Sequence, residues 1–407
     1  MSYSRQAISG FSWQTVMKVL AAAISLAKIS VLARLLTPDD FGLFSLTVIT
    51  LGLSEAAAQT GINITILQSK KSVSYFIDTA WVISIARGFI IAIAMILMGF
   101  GLSSYFKNPQ LISLVSLTSL VPVIKGFINP YIISLRKNFK FFNDSLYYLS
   151  LILIEGVLAV TLGLLLKSVS AMIMSMIGAA IAEVIISFAF FKIKPQFKYL
   201  QSRAQVIFDN AKWMSLSSLM GYLNDNLDDL VIGKLVGTYQ LGLYHNAYAL
   251  THKLNYDLAR SINHGTLPVF TKISSDAHRI KKAAFKTFGM SGLMLLATSI
   301  PILFFPELFV NLILGPPWLA IVPLIKWLVL AGVTHSFALI GYTLFLAKGS
   351  YRILNLHQLF NLILTILLII ILGKTNGLNG AVMGLALGRT LSLPIIAYGV
   401  YKNTKLH

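Results

Sequence analysis

The sequence predicts an all-α polytopic membrane protein, with about twelve transmembrane helices in two parallel six-helix lobes. Three observations carry this. Hydrophobic residues fill 56% of the 407 positions and charged residues only 12%, whereas a soluble domain carries about 25% charged residues. The mean hydropathy is +0.77. The apolar residues also fall into blocks of about 20, the length that crosses a hydrocarbon core of about 30 Å.

The spans read roughly as 8–33, 40–67, 77–101, 110–134, 143–166, 171–191, 210–233, 240–266, 284–311, 318–346, 355–373 and 378–400. Clusters of Pro, Gly and charge punctuate them, among them LTPDDFG, QSKKS, FKNPQ, RKNFK, LGPPW and KTNG. The first block is interrupted by Lys18 and Lys28 and is too long for a signal-peptide core, so it reads as the first span. The chain has no cysteine, which excludes disulfides, thiolate metal sites and cysteine nucleophiles.

The net charge of +19 has its origin in topology. With the N-terminus placed inside, 19 of the 33 Lys and Arg residues fall in inner loops and 5 in outer ones. That asymmetry orients the chain with both termini cytoplasmic. It also accounts for the basic character without nucleic acid, so the run HRIKKAAFK is a solvated inner loop. The longest loop, roughly 192–209, is too short for an extramembrane catalytic domain.

Two segments match at an offset of 200 residues: VLARLLTPDDFGLF (31–44) and VIGKLVGTYQLGLY (231–244). Val31, Leu35, Gly42 and Leu43 recur as Val231, Leu235, Gly242 and Leu243, and Trp13 recurs as Trp213. Six spans separate the copies. An even number keeps them parallel, related by an axis along the membrane normal. The lobes are accordingly 1–200 and 201–407. Transporters place a substrate path between such halves; the bland alternative is a duplicated scaffold with no transport role.

ISGFSW (8–13), ARLLTPDDFGLFSL (33–46), NLDDLVIGKLVGTYQLGLYHNAY (226–248), LPVFTKISSD (267–276) and GPPWLAIVPLIKWL (315–328) together resemble the polysaccharide transporter family. These are the Wzx-type oligosaccharide flippases of the multidrug/oligosaccharidyl-lipid/polysaccharide (MOP) superfamily, and the exopolysaccharide exporters are the most similar branch. The resemblance implies a MATE-like, V-shaped pair of lobes around a central cavity. It implies an undecaprenyl-pyrophosphate-linked glycan as substrate, and alternating access. It also implies membrane lipids around the chain and association with polysaccharide biosynthesis enzymes. Some relatives have two further C-terminal helices that this chain does not carry.

Charges inside a bilayer cost from about 2.5 kcal/mol upward, so those retained face a bundle interior or a wet cavity. Span 1 carries Gln14, Lys18, Ser25 and Lys28 on one stripe; span 2 carries Glu55, Gln59 and Asn63, each four apart. Span 7 carries Asp225, Asp228 and Asp229; span 8 carries Lys253, Asp257, Arg260 and His264. In the families the chain resembles, these four helices line the cavity. Lys18, Lys28, Gln59, Lys253 and Arg260 are therefore candidate substrate-binding residues. Glu55, Asp225, Asp228, Asp229 and Asp257 are candidates for cation coupling or gating, with protons or sodium as the ion. Carboxylates in a low dielectric bind protons readily, which favours protons. The blander readings are snorkelling for Lys18 and an intrahelical ladder for Lys253, Asp257 and Arg260. These four helices sum to a slightly negative charge, unsuited to a pyrophosphate on their own, so Arg87, Lys125, Lys326 and Arg389 are further candidates.

The repeat adds one pairing. Lys28 corresponds to Asp228, and each lies six residues before an outer basic residue, Arg34 or Lys234, about 9 Å below the outer end. A Lys28–Asp228 ion pair would close the cavity to the outside; the alternative is that Lys28 pairs within its own lobe, for instance with Glu55.

GKT at Gly373–Thr375 lacks the glycine that a phosphate loop needs five residues earlier, where Leu368 stands. Histidines do not show zinc spacing. The sequence thus predicts a transporter without cofactors rather than an enzyme. A cation-coupled multidrug exporter of the same superfamily is the alternative, and a polysaccharide polymerase or ligase a more distant one.

Overall fold

The computed structural model describes residues 3–208 and 211–405, with side chains apart from those of 3–16, 18, 211–214, 217, 252–254, 256–258, 261, 264 and 277. Regular structure among the described residues is helical throughout. Two compact units emerge, Met1–Asn226 and Leu227–His407, and the boundary between them falls inside one helix.

The first unit begins with α1 (Tyr3–Leu35) and α2 (Pro38–Ala57), followed by the short α3 (Ile62–Gln68) and the long α4 (Val73–Phe106). α5 (Gln110–Thr118), α6 (Leu120–Gly126), a 3-10 turn (Pro130–Ile132) and α7 (Ile133–Lys137) come next. α8 (Phe141–Leu166), α9 (Val169–Phe190) and α10 (Gln201–Phe208) complete it, before α11 (Ala211–Val236) crosses the boundary. The second unit continues with α12 (Thr238–Lys272), α13 (Ala277–Phe304), α14 (Pro306–Ile313), a 3-10 turn (Pro316–Ile321), α15 (Val322–Ala347) and α16 (Tyr351–Thr404).

By length and apolarity, seven of the described helices can cross a membrane, or eight if the bent pair Gln110–Gly126 and Pro130–Lys137 is one span. The other predicted spans are also helical. α16 has 54 residues, about 80 Å of helix, and breaks at Asn376 and Gly377, where Gly377 has φ +58°. It is two crossings joined by a tight turn. α1, α11 and α12 are the least apolar of the long helices, because the intramembrane charges sit on them.

Exposed apolar side chains cover the outer faces of the long helices, such as Phe89, Ile93 and Leu97 on α4, Val157 and Leu165 on α8, and Leu359 and Ile363 on α16. On a membrane protein these are the lipid-facing surface. Beneath them small residues let helices approach. Gly380, Gly384 and Gly388, spaced by four, line the second half of α16; a methyl at Gly384 or Gly388 would come within about 2.5 Å of Leu368 or Thr365 on the first half. This is the small-residue stripe by which membrane helices pack where no hydrophobic effect drives them together.

Each unit opens with the same corner. Thr37 caps α2, its hydroxyl accepting from the Asp40 amide while the Asp40 carboxylate accepts from Thr37. The residue 200 positions on, Gly237, caps α12. Leu32, Phe41 and Leu43 are buried in the first corner, and Ile232, Leu241 and Leu243 in the second. The sequence repeat is therefore a structural one.

Two predicted spans of the first unit are interrupted. Span 2 ends as α2 at Ala57, and Gly61, in the left-handed region at φ +70°, turns the chain into α3. Span 4 bends by 67° between α6 and the turn at Pro130. Pro130 cannot donate to a continuing helix, and the Asn129 side chain caps the new start by accepting from the Tyr131 amide.

Candidate functional site

Both interruptions border a single cavity of about 370 Å³ in the first unit. Unpaired backbone is tolerated at membrane depth where it lines a polar space or is held by side chains, and both devices occur here. The Lys137 ammonium donates to the carbonyls of Ile66, Ser69 and Lys71, at 2.7, 2.9 and 2.5 Å, and so closes the end of α3. Arg87 Nη2 donates to the Glu55 carbonyl at the end of α2, at 3.3 Å.

Arg87 and Lys125 reach the cavity because each precedes a glycine at the α4–α6 crossing. A Cβ on Gly88 would collide with the Pro122 carbonyl, and one on Gly126 with the backbone at Ser84. This reciprocal contact draws the helices together and sets the two cations on the cavity wall with Glu55 and Gln59 of the α2–α3 break, Tyr147 of α8 and Glu183 of α9. Lys125 Nζ lies 3.7 Å from Glu183 Oε2. Arg136 and Asp144, also lining the cavity, form their own pair, with Arg136 Nε 3.1 and 3.0 Å from the two carboxylate oxygens. Among the described residues, two polar atoms are buried there with no hydrogen-bond partner: Arg87 Nε and the Tyr147 hydroxyl.

The second unit treats its charges differently. Asp228 and Arg389 are 6% and 5% exposed, with Arg389 Nη2 3.7 Å from Asp228 Oδ2. The Tyr244 hydroxyl donates to the same oxygen at 2.6 Å. Arg389 also donates to the Tyr248 hydroxyl at 3.5 Å and lies 5.8 Å from the centre of that ring. Asp229 Oδ1 is 3.4 Å from His245 Nδ1. Nearby, buried His357 bridges the Tyr342 hydroxyl (2.7 Å) and the Ser392 hydroxyl (3.1 Å), and Ser392 donates in turn to Asn361. A charge pair this deep is costly unless hydrogen bonds satisfy it; tyrosine hydroxyls supply some of them, and Asp228 Oδ1 has no hydrogen-bond partner among the described residues.

The sequence candidates separate on this geometry. Glu55 and Gln59 line the first-unit cavity together with Asn63. Their spacing of four suggests one helical face, but α2 has ended before Gln59, so the break rather than a helix face gathers them. Lys28 Nζ binds Glu155 Oε1 of α8 at 2.7 Å, a pairing inside its own unit. Asp228 and Asp229 belong to the buried second-unit network, and Asp225 sits half-buried one turn earlier on α11. Arg260 is exposed on α12. Lys326 lies 5.5 Å from the Trp327 ring. The side chains of Lys18, Lys253, Asp257 and His264 lie outside the described residues.

Sequence reasoning passed over Glu155, Glu183, Tyr147 and His357. The signal for the carboxylates was available: Glu183 is the one charged residue of the 22-residue α9, and Glu155 stands alone in the apolar stretch of α8. Among the described residues no group of three or more His, Cys, Asp or Glu is arranged to hold a metal ion.

A family model described as polysaccharide biosynthesis protein matches residues 31–323. The lipopolysaccharide biosynthesis protein WzxC of Escherichia coli (strain K12) is 24% identical over 98% of this chain and 82% of its own length. The teichuronic acid biosynthesis protein TuaB of Bacillus subtilis (strain 168) is 20% identical over 86% of this chain and 72% of its own. Among solved structures, the lipid II flippase MurJ in an inward closed conformation superposes with a TM-score of 0.69 at 13% identity, covering 96% of this chain and 89% of that one. An inward-facing multidrug resistance MATE transporter of the MOP superfamily gives 0.63 at 15% identity, covering 96% and 94%. At these identities the structural matches speak for the fold, and the family match spans well over half of the chain. The chain is thus a multi-pass membrane protein with the MOP-superfamily fold, and it belongs to the polysaccharide biosynthesis protein family.

Proposed function

We propose that this chain is a transporter rather than an enzyme. It moves an undecaprenyl-pyrophosphate-linked oligosaccharide from the cytoplasmic to the outer leaflet of a bacterial inner membrane, coupled to a cation gradient, for cell-surface polysaccharide biosynthesis. The observation that carries this is the retention of charge inside the membrane in a chain of this family. Glu55, Arg87, Lys125 and Glu183 border the first-unit cavity, and Asp228 and Arg389 are held in a buried pair. A multidrug exporter binding apolar cations would be served by an aromatic, apolar cavity; charged walls fit a hydrophilic head group better. The polyprenyl tail remains in lipid while the head group crosses.

The test is genetic and chemical together. Removing the gene from a host that displays the glycan should abolish surface glycan and leave the lipid-linked precursor in the inner leaflet, and the cloned chain should restore export. Normal surface glycan without the gene would refute the reading. Reporters active only in the cytoplasm should work after Lys140, Arg203 or Lys286 and fail after Lys107 or Lys374, as both termini inside requires.

Lys28 and Asp228 are the residues we assign to an outer gate between the lobes 1–200 and 201–407. For that role Lys28 must leave Glu155, and Asp228 must leave Tyr244 and Arg389. Lys28→Asp and Asp228→Lys should each stop export and the double swap should restore part of it. A double variant no better than the worse single one would leave Lys28 as Glu155's structural partner.

A further inference from the structure

We propose that the first-unit cavity is a saccharide-binding pocket that takes one neutral sugar residue of the cargo. The choice of sugar as ligand rests on the glycan-carrier reading above; the cavity and its chemistry do not.

Its volume of about 370 Å³ falls at the small end of ligand pockets, which run from about 300 to 1,000 Å³. That is room for a sugar ring and not for a whole lipid-linked oligosaccharide. Its core walls carry two acids, Glu55 and Glu183, and two bases, Arg87 and Lys125. A phosphate or pyrophosphate placed among them meets two carboxylates as well as two cations. An apolar ligand would strip water from all four and replace none of the lost hydrogen bonds. A polyhydroxylated ring suits both signs at once, because each hydroxyl donates to a carboxylate and accepts from a guanidinium or ammonium.

The unpartnered atoms point the same way. The Tyr147 hydroxyl belongs to a side chain that is 8% exposed and has no protein partner, although it borders the cavity. Arg87 Nε is the second orphan. A buried donor left without a partner costs about 1–3 kcal/mol, so a ligand that answers both recovers that cost. Tyr148, also on the wall, adds a ring face of the kind that stacks on the apolar side of a sugar.

The absence of cysteine from the chain makes the pocket directly readable. Ser84 lines the cavity, and Ser84→Cys is nearly isosteric. In the full-length protein in detergent, labelling of this single thiol by a methanethiosulfonate reagent should be slowed saturably by glucose, galactose or N-acetylglucosamine at millimolar concentration. Inorganic pyrophosphate should leave it unchanged. Adding Glu183→Gln should weaken protection about tenfold, the loss of one hydrogen bond of the charged kind, and Tyr147→Phe about fivefold, the loss of a neutral one, while the unprotected labelling rate confirms that each variant is folded. Protection by pyrophosphate and not by sugars would make this an anion site and overturn the proposal. So would no protection by any probe, or equal protection in both variants. If sugars protect but the gene proves dispensable for glycan export, the pocket stands and the flippase reading falls; if they do not protect while export depends on the gene, the reverse holds.

Discussion

The two units start alike and part company about twenty residues after their shared corner. In the first, α2 ends at Ala57 and Gly61 turns the chain away; in the second, α12 continues unbroken to Lys272. The paired positions explain the divergence. Gly61 corresponds to Ser261, and Glu55 to Asn255. Glu55 borders open space, whereas Asn255 is 2% exposed, donates to Ser299 at 3.0 Å and accepts from Thr298 at 2.8 Å. At this paired position one copy keeps an ionised group beside a cavity, and the other keeps an amide hydrogen-bonded in a packed site. The duplicated sequence thus supplies a common scaffold, and the residues at paired positions decide how each copy uses it.

The strongest way to break this contrast is at Arg389. Arg389→Met leaves Asp228 buried without its counter-charge and should destabilise the protein by about 3–5 kcal/mol, read as a lower midpoint of thermal unfolding in detergent and a lower level in membranes. Asp228→Leu combined with Arg389→Met should recover most of that loss, since an apolar pair of similar volume often replaces a buried ion pair without penalty. An Arg389→Met variant as stable as the parent, yet dead in export, would show that Arg389 serves export and is not needed to hold Asp228 in the fold.

A smaller effect is expected at the hairpin within α16. Gly384→Leu places a side chain where the Leu368 backbone lies and should cost about 1–3 kcal/mol through overpacking; Gly221→Leu, at a glycine with open space around it, should cost far less in the same unfolding assay. Equal losses would show that the stripe of glycines at 380, 384 and 388 is not what holds the two halves together.

Gly61 tests the divergence itself. A side chain in the left-handed region costs about 1–2 kcal/mol, so Gly61→Ser, which installs the residue of the second copy, should destabilise by that amount and reduce export. The mirror change, Ser261→Gly, puts glycine inside a helix and should cost about 0.5–1 kcal/mol. If Gly61→Ser is neutral in both assays, the break after α2 is set elsewhere, and the paired-position explanation fails.

Fold and site differ in how far they could be read from residues. The long apolar blocks are legible because lipid forces every span to be helical and apolar outside. The corner is legible because capping and burial constrain the same positions twice, at Thr37 and Gly237, Phe41 and Leu241. Breaks are harder. A run such as LGLSEAAAQTGINITIL reads as one span by hydropathy, and only Gly61, combined with three polar residues at intervals of four, hints that the helix stops. Partners are hardest. Lys28 has Glu55 and Asp228 as plausible partners in the sequence, yet it meets Glu155 because α1 packs on α8, a tertiary fact without a local signature. The lone carboxylates Glu155 and Glu183 show that a single charge in an apolar helix points to a partner, here Lys28 and Lys125.

The smallest expected effect on stability is also the most informative about function. Lys125 and Glu183 stand 3.7 Å apart, and the Lys125 side chain is 46% exposed. A pair so loosely held and so open contributes about 0–1 kcal/mol, so Glu183→Gln should leave the unfolding midpoint and the membrane level close to those of the parent. It keeps the size of the side chain and a carbonyl acceptor but removes the charge. Export should nevertheless fall, because the carboxylate is one of three anionic acceptors on the cavity wall, with Glu55 and Asp144. Lys125→Gln should behave in the same way from the other side of the pair. The comparison with Arg389→Met then becomes quantitative: for Arg389→Met most of the loss of export should follow the loss of folded protein, and for the first-unit variants export should drop while the amount stays constant. Export per folded molecule is the quantity to measure, from surface glycan divided by protein in the membrane. If Glu183→Gln loses stability and export in proportion, the first-unit charges serve as scaffold, and the contrast between the two copies at these positions is one of shape alone.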